Sequence, residues 1–223
     1  MARDAPATPT TEASVRVVTL SAAYGAGASV VGPAVAERLG LPYLERVLTP
    51  ALLRASADAV GDDTPRDERS GRFLSRIVES LAGMPQALAG APEPTGAVAE
   101  EQVRGELEAS IDALTRPPGG VVRGRGATAV LASCPTAFHV QLSGPREARI
   151  RQAMQLTHID EAEAARRCKE TDRARHLYLR RFYDVDADDP ALYHLTLDST
   201  AVPLPTCVDV IVEAASAFWR MRA

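Results

Sequence analysis

The sequence predicts an α/β fold, a central parallel sheet with helices on both faces. Three observations predict it. Short, nearly continuous apolar runs at residues 15–20, 121–123 and 137–143 have the composition of strands buried on both faces. Segments with helical apolar spacing lie between and after them, so strands and helices alternate along the chain. Hydrophobic residues make up 46% of the 223 residues, enough for the core of one domain.

The elements follow in order. Residues 1–14 (MARDAPATPTTEAS) are small, polar and proline-bearing, and read as a disordered tail before a domain at 15–223. The first strand, 15–20, runs into a small-residue loop and a helix at 29–39, closed by Gly40 as C-cap. A short strand at 41–44 and a helix near 50–60 come next. Residues 61–72 (GDDTPRDERSGR) are polar, 73–81 have helical spacing, and 83–97 (GMPQALAGAPEPTGA) form a Gly/Pro/Ala loop. An amphipathic helix at 98–114 is ended by RPPGG at 116–120. The strand at 121–123 enters GRGA, a short helical or irregular piece follows, and 137–143 is the next strand. Helices at 146–156, 160–181 and 190–192, a last strand at 193–198 and a closing helix at 205–222 complete the chain.

Charge narrows the choice of partners. The net charge of −4 and pI near 5.6 give no electrostatic case for nucleic acid. Lys169 is the only lysine, so arginines must do any phosphate work, for which their planar forks are suited. Cys134, Cys168 and Cys207 fit no metal-ligand spacing and read as thiols of a reducing cytosol. His139, His158, His176 and His194 are scattered and read as satisfied structural or surface histidines. Without a basic-then-apolar leader or a long apolar run, the expectation is a cytoplasmic protein with no membrane span.

Four constellations carry chemistry. Set against G-x-x-x-x-G-K-[ST], residues 22–29 keep Gly27 and Ser29, while Ala22 replaces the first glycine and Ala28 the lysine. Such a strand–loop–helix places backbone N–H groups around a phosphate, or else is a packed Gly/Ala turn. RGRGA (123–127) follows a strand and sets Arg125 at the carboxyl edge of the sheet, where ligands of open parallel sheets bind; a surface turn is the alternative. PREARIR (145–151) opens a helix on which Arg146 and Arg149 share a face and Arg151 projects elsewhere; a solvated face reads equally. Residues 165–183 hold Arg166, Arg167, Lys169, Arg173, Arg175, Arg180 and Arg181, with Glu170 and Asp172 between them. They form either a solvated helix laced with ion pairs or a flap that closes on phosphates.

Together, VTLSAAYGAGASVVGPAVAERLGLPYLER, VVRGRGATAVL, FHVQLSGPREARIRQAM and AARRCKETDRARHLYLRRFYDVDADDPALYHLTLDST resemble, in this order, the cytidylate kinase-like family of P-loop nucleoside monophosphate kinases. The resemblance implies a three-layer P-loop kinase fold with an Arg-rich helical lid at about 165–185 and a variable acceptor-side segment at about 61–97. It implies phosphoryl transfer from ATP, with Mg²⁺, to CMP or a related pyrimidine monophosphate. Tyr24, Gly25, Ala26, Gly27, Ala28 and Ser29 would bind the ATP phosphates, with Ser29 also a Mg²⁺ ligand. Arg125 would hold the acceptor phosphate and act in catalysis. Arg173 and Arg175 would be catalytic lid arginines oriented by Asp172, and Glu45 would lie near the acceptor nucleotide. The family carries a lysine where this chain has Ala28, which keeps open a nucleotide-binding protein that has lost turnover.

Overall fold

A computed structural model describes residues 15–44, 113–124 and 126–222. The expected tail at 1–14, the elements and loops expected between 45 and 112, Glu45 and Arg125 lie outside the described residues. The five strands are β1 (Arg16–Ala22), β2 (Tyr43–Leu44), β3 (Gly119–Arg123), β4 (Ala137–Ser143) and β5 (Leu195–Asp198). The described helices are α1 (Ala28–Leu39), the short α2 (Ala127–Val130), α3 (Arg146–Thr157), α4 (Glu161–Tyr183) and α5 (Leu204–Arg220), with a 3₁₀ turn at Pro190–Leu192.

The strands form one sheet in the order β2-β3-β1-β4-β5, and every neighbouring pair is parallel. β1 is central, with Val18 opposite Val121 on one side and Phe138 on the other. It runs two residues past the expected end at 20, because Ser21 and Ala22 pair with Gln141 and Leu142 of β4. β5 starts later than expected, at Leu195, since Tyr193 closes the 3₁₀ turn instead. α4 begins where expected because Asp160 caps it, accepting the N–H of Glu163 at 2.8 Å.

Side chains alternate across the sheet with the strand period of two. Val18, Leu20, Val121, Val140 and Leu142 face α1 and α5, which pack on each other and bury the larger apolar cluster. Val17, Val122 and Ala137 face the other way, against Ala127 and Leu131. On that second face the alternation also brings in polar residues. Thr19 Oγ1 lies 3.0 Å from Thr128 Oγ1 and 2.7 Å from His139 Nδ1. Gln141 Nε2 donates to the carbonyl of Ala187 at 3.3 Å. The three-layer fold is therefore asymmetric, greasy under α1 and α5 and hydrogen-bonded on its other face.

His139 and His194 stack with centroids 5.0 Å apart, and Phe138 and Phe218 close around His194. His194 Nδ1 accepts the backbone N–H of His139 at 2.9 Å, so that ring is neutral with its proton on Nε2. Cys134, Cys168 and Cys207 are free thiols, the last two buried. Among the described residues, no helix is long and apolar enough to cross a membrane.

Candidate functional site

The site grows from the turn between β1 and α1. Gly25 and Gly27 take φ of 80° and 75°, values that side chains resist. At Gly25 there is no room either, since a Cβ would run into the carbonyl of Arg149. The two glycines let the chain leave β1, fold tightly over Ala26 and enter α1 at Ala28. Ala26 N–H closes the turn on Ala23 C=O at 3.1 Å. Among the described residues, the N–H groups of Gly25, Gly27, Ala28 and Ser29 have no hydrogen-bond partner. Four free donors at the start of a twelve-residue helix, with the helix dipole behind them, suit an anion. Ala28 is buried at the first helical position, and Ser29 is exposed beside it.

Side chains from distant elements hold the turn in place. Arg149 Nη1 donates to Tyr24 C=O at 2.7 Å and pairs with Asp172 Oδ2 at 2.8 Å. Asp172 Oδ1 accepts Tyr24 N–H at 2.8 Å. Gln152 Nε2 donates to Gly25 C=O at 2.9 Å, and Ser199 Oγ to Ala26 C=O at 2.8 Å. The Tyr24 ring packs against Ile150, Ala153, Ala164 and Cys168 of α3 and α4. Burial pushes the Cys168 thiol up, which keeps it an uncharged filler.

A cavity of about 240 Å³ opens beside the turn, lined by Ala23, Gln141, Ser143, Arg149, Asp172 and Arg175 among others. Arg175 reaches into it from α4. Its Nη2 is tied to Ala187 C=O at 3.2 Å and to Asp188 at 2.8 Å, while Nε and Nη1 are buried with no partner among the described residues. Those two donors are available to an anion. His176 bonds Asp172 C=O and Asp188 at 2.7 and 2.8 Å. Burial lowers its pKa, but these two acceptors outweigh that and hold it above the usual histidine value.

The expected arginines divide sharply. Arg149 is buried against the turn, whereas Arg146 and Arg151 are exposed. Arg173 is exposed on α4 and Arg175 faces the cavity. Arg166 and Arg167 are spent on Glu163 and Glu170 at 2.6–2.9 Å, the ion-paired face that was the plainer reading of this helix. These bonds hold Glu163 down to about 2. Asp172 contacts Arg149 and Tyr24, where the resemblance had it orienting Arg173 and Arg175. Gln152 and Ser199 were missed. Both lie in stretches that carry the family resemblance, Gln152 in RIRQAM and Ser199 in LDST, but nothing in the order of residues says that each ends beside a loop carbonyl.

One family model and one solved structure agree with this architecture. A model described as the cytidylate kinase-like family matches residues 17–201. No curated protein sequence matches. An uncharacterized protein from Eubacterium ventriosum has a solved structure similar in fold, with a TM-score of 0.61 at 15% identity, covering 90% of this chain and 98% of that one. A shikimate kinase from Bacteroides thetaiotaomicron shares 14% identity at a TM-score of 0.45 over 90% of this chain and 98% of that one. A gluconokinase from Sinorhizobium meliloti shares 17% at 0.46, covering 93% of each chain.

Proposed function

The chain belongs to the cytidylate kinase-like family, and on that premise we propose that it transfers the γ-phosphoryl group of ATP to CMP or a related pyrimidine monophosphate. The observation that carries this reading is the set of free amides of Gly25, Gly27, Ala28 and Ser29 beside a cavity with unpaired Arg175 donors. Phosphoryl transfer asks a protein for positioning and charge stabilisation more than for covalent chemistry. The amides, with Tyr24 and Ala26 shaping the turn, hold the ATP phosphates. Arg175 and Arg173 on α4 neutralise charge on the transferred group, and Asp172 keeps α4 against the turn. Arg125 holds the acceptor phosphate, and Glu45 contacts the acceptor nucleotide. Mg²⁺, when bound, neutralises phosphate charge, and the exposed Ser29 hydroxyl suits it as a ligand. The protein works in the cytoplasm.

Ala28 favours a second reading, a nucleotide-binding protein without turnover, because the turn carries no charged side chain between Ala22 and Ser29. A coupled assay with ATP·Mg²⁺ against CMP, dCMP and UMP separates the two. Turnover of one acceptor, abolished in Arg125→Ala, is the expected result. ATP binding with no turnover of any acceptor establishes the second reading.

A further inference from the structure

Building on the phosphate-loop reading, we infer that Gln152 and Ser199, together with Arg149, are positioning residues that decide which way the amides of the turn face. In a trans peptide the C=O of one residue and the N–H of the next point in opposite directions. Tying down a carbonyl therefore aims the amide that follows it. Three successive carbonyls are tied, that of Tyr24 by Arg149 at 2.7 Å, of Gly25 by Gln152 at 2.9 Å and of Ala26 by Ser199 at 2.8 Å. The amides across those peptides belong to Gly25, Ala26 and Gly27. The Ala26 amide closes the turn on Ala23 C=O, so Gln152 acts on the Gly25 and Gly27 amides through that closure: if the Gly25–Ala26 peptide rotates, the closing bond is lost and the planes on either side are released. The amides of Gly25 and Gly27 are left pointing away from the donors, unpartnered among the described residues.

The arrangement matters because the turn alternates glycine with small residues. A peptide plane next to glycine meets little steric resistance to rotation. A rotated plane would offer a phosphate an oxygen in place of an N–H, turning attraction into repulsion. Two of the donors come from one face of α3 and one from the turn after β5, so no single element sets the loop. Ser199 is 1% exposed, and its hydroxyl lies nearer to Ala26 C=O than to Ser143 C=O, at 2.8 against 3.2 Å. Gln152 is only half-buried, and its amide reaches across to the turn.

The test titrates ATP·Mg²⁺ into wild type, Gln152→Ala and Ser199→Ala, with adenosine as the control that lacks phosphates. Calorimetry gives the Kd, and the ¹⁵N–¹H spectrum reports the Gly25 and Gly27 amides. Each variant is expected to bind ATP about tenfold more weakly, the loss for one misdirected hydrogen bond. The ATP-induced shifts of Gly25 and Gly27 should shrink with it, and Ser199→Thr, which restores the hydroxyl, should recover them. Folded variants that bind ATP as wild type does overturn the inference. So does weaker binding with the Gly25 and Gly27 shifts unchanged. If Ser199→Ala or Ser199→Thr does not fold, Gln152→Ala decides alone. Wild type that binds no ATP would instead remove the phosphate-loop reading itself, and this inference with it.

Discussion

Arg149 and Asp172 form an ion pair, Nη1 to Oδ2 at 2.8 Å, and between them they hold both backbone polar groups of Tyr24. Their side chains are only 10% and 21% exposed, so the pair is largely out of water. A helix pair and a backbone turn are thereby fastened at one residue.

Removing one member should hurt more than removing both. Arg149→Met leaves Asp172 without its counter-charge and Tyr24 C=O without its donor. It is expected to cost about 3 kcal/mol, the lower end for breaking a buried pair, because Asp172 keeps some solvent. In Arg149→Met/Asp172→Asn, part of that loss should return, with a coupling energy on the order of 1–2 kcal/mol. Urea unfolding of the four proteins in the cycle measures it. Additive losses would show that the two residues act independently.

Gly25→Ala should be among the most damaging single substitutions. The residue has φ of 80°, and an added Cβ meets the Arg149 carbonyl. Left-handed strain alone costs about 1–2 kcal/mol, and displacing α3 adds to it. Thermal unfolding should show a loss of at least about 2 kcal/mol, and ATP binding should weaken in parallel.

Ala28→Lys should tighten ATP binding. Ala28 is the first residue of α1, beside the free amides, and a lysine there meets phosphate with the helix dipole behind it. A charge-assisted contact of about 1–3 kcal/mol corresponds to roughly five- to a hundredfold in Kd. Calorimetry with ATP·Mg²⁺ checks it, and any kinase activity should rise as well. Unchanged affinity in a folded variant would mean that the turn does not present position 28 to the phosphates.

Acid should destabilise the fold through its stacked histidines. Burial, then the neighbouring His194, push His139 down to about 4. Burial, then the Arg222 charge, lower His194. Both rings bind protons less readily folded than unfolded. The stability they confer is therefore complete above about pH 6.5 and lost as pH falls toward 4. His139 alone accounts for about 2–3 kcal/mol by linkage. His176 works the other way, its contribution being present below about 6.5 and lost as pH rises through its elevated folded value. Unfolding free energy measured from pH 7.5 to 4 should decline, and His139→Gln should flatten the decline.

Most of the frame could be read from the sequence. The expected strand at 137–143 coincides with β4, because a run apolar on both faces between turn residues has few other uses. The helix expected at 160–181 matches α4 closely, and the turn was marked by its glycines. What could not be read is which polar groups meet across the fold. Arg146 and Arg149 looked alike on a helical face, yet burial against Tyr24 singles out Arg149. His139 read as an ordinary structural histidine, with no sign that it continues a polar row from Thr19 and Thr128. Gln152 and Ser199 lie within stretches that carry the resemblance, but their role does not show there, since their partners are backbone carbonyls that any residue could supply. Such contacts are fixed by three-dimensional packing and leave no periodicity to detect.

The anchoring of the turn also bears on the order of folding events. Tyr24, Gly25 and Ala26 are held by residues 125, 127 and 173 positions away along the chain. Contacts that close loops of such length form only after the intervening elements have docked. The part of the molecule that reads as its working surface therefore assembles late, although α1 beside it is local. During refolding, helical signal should recover before ATP binding does, leaving an interval in which the chain is compact and without its ligand.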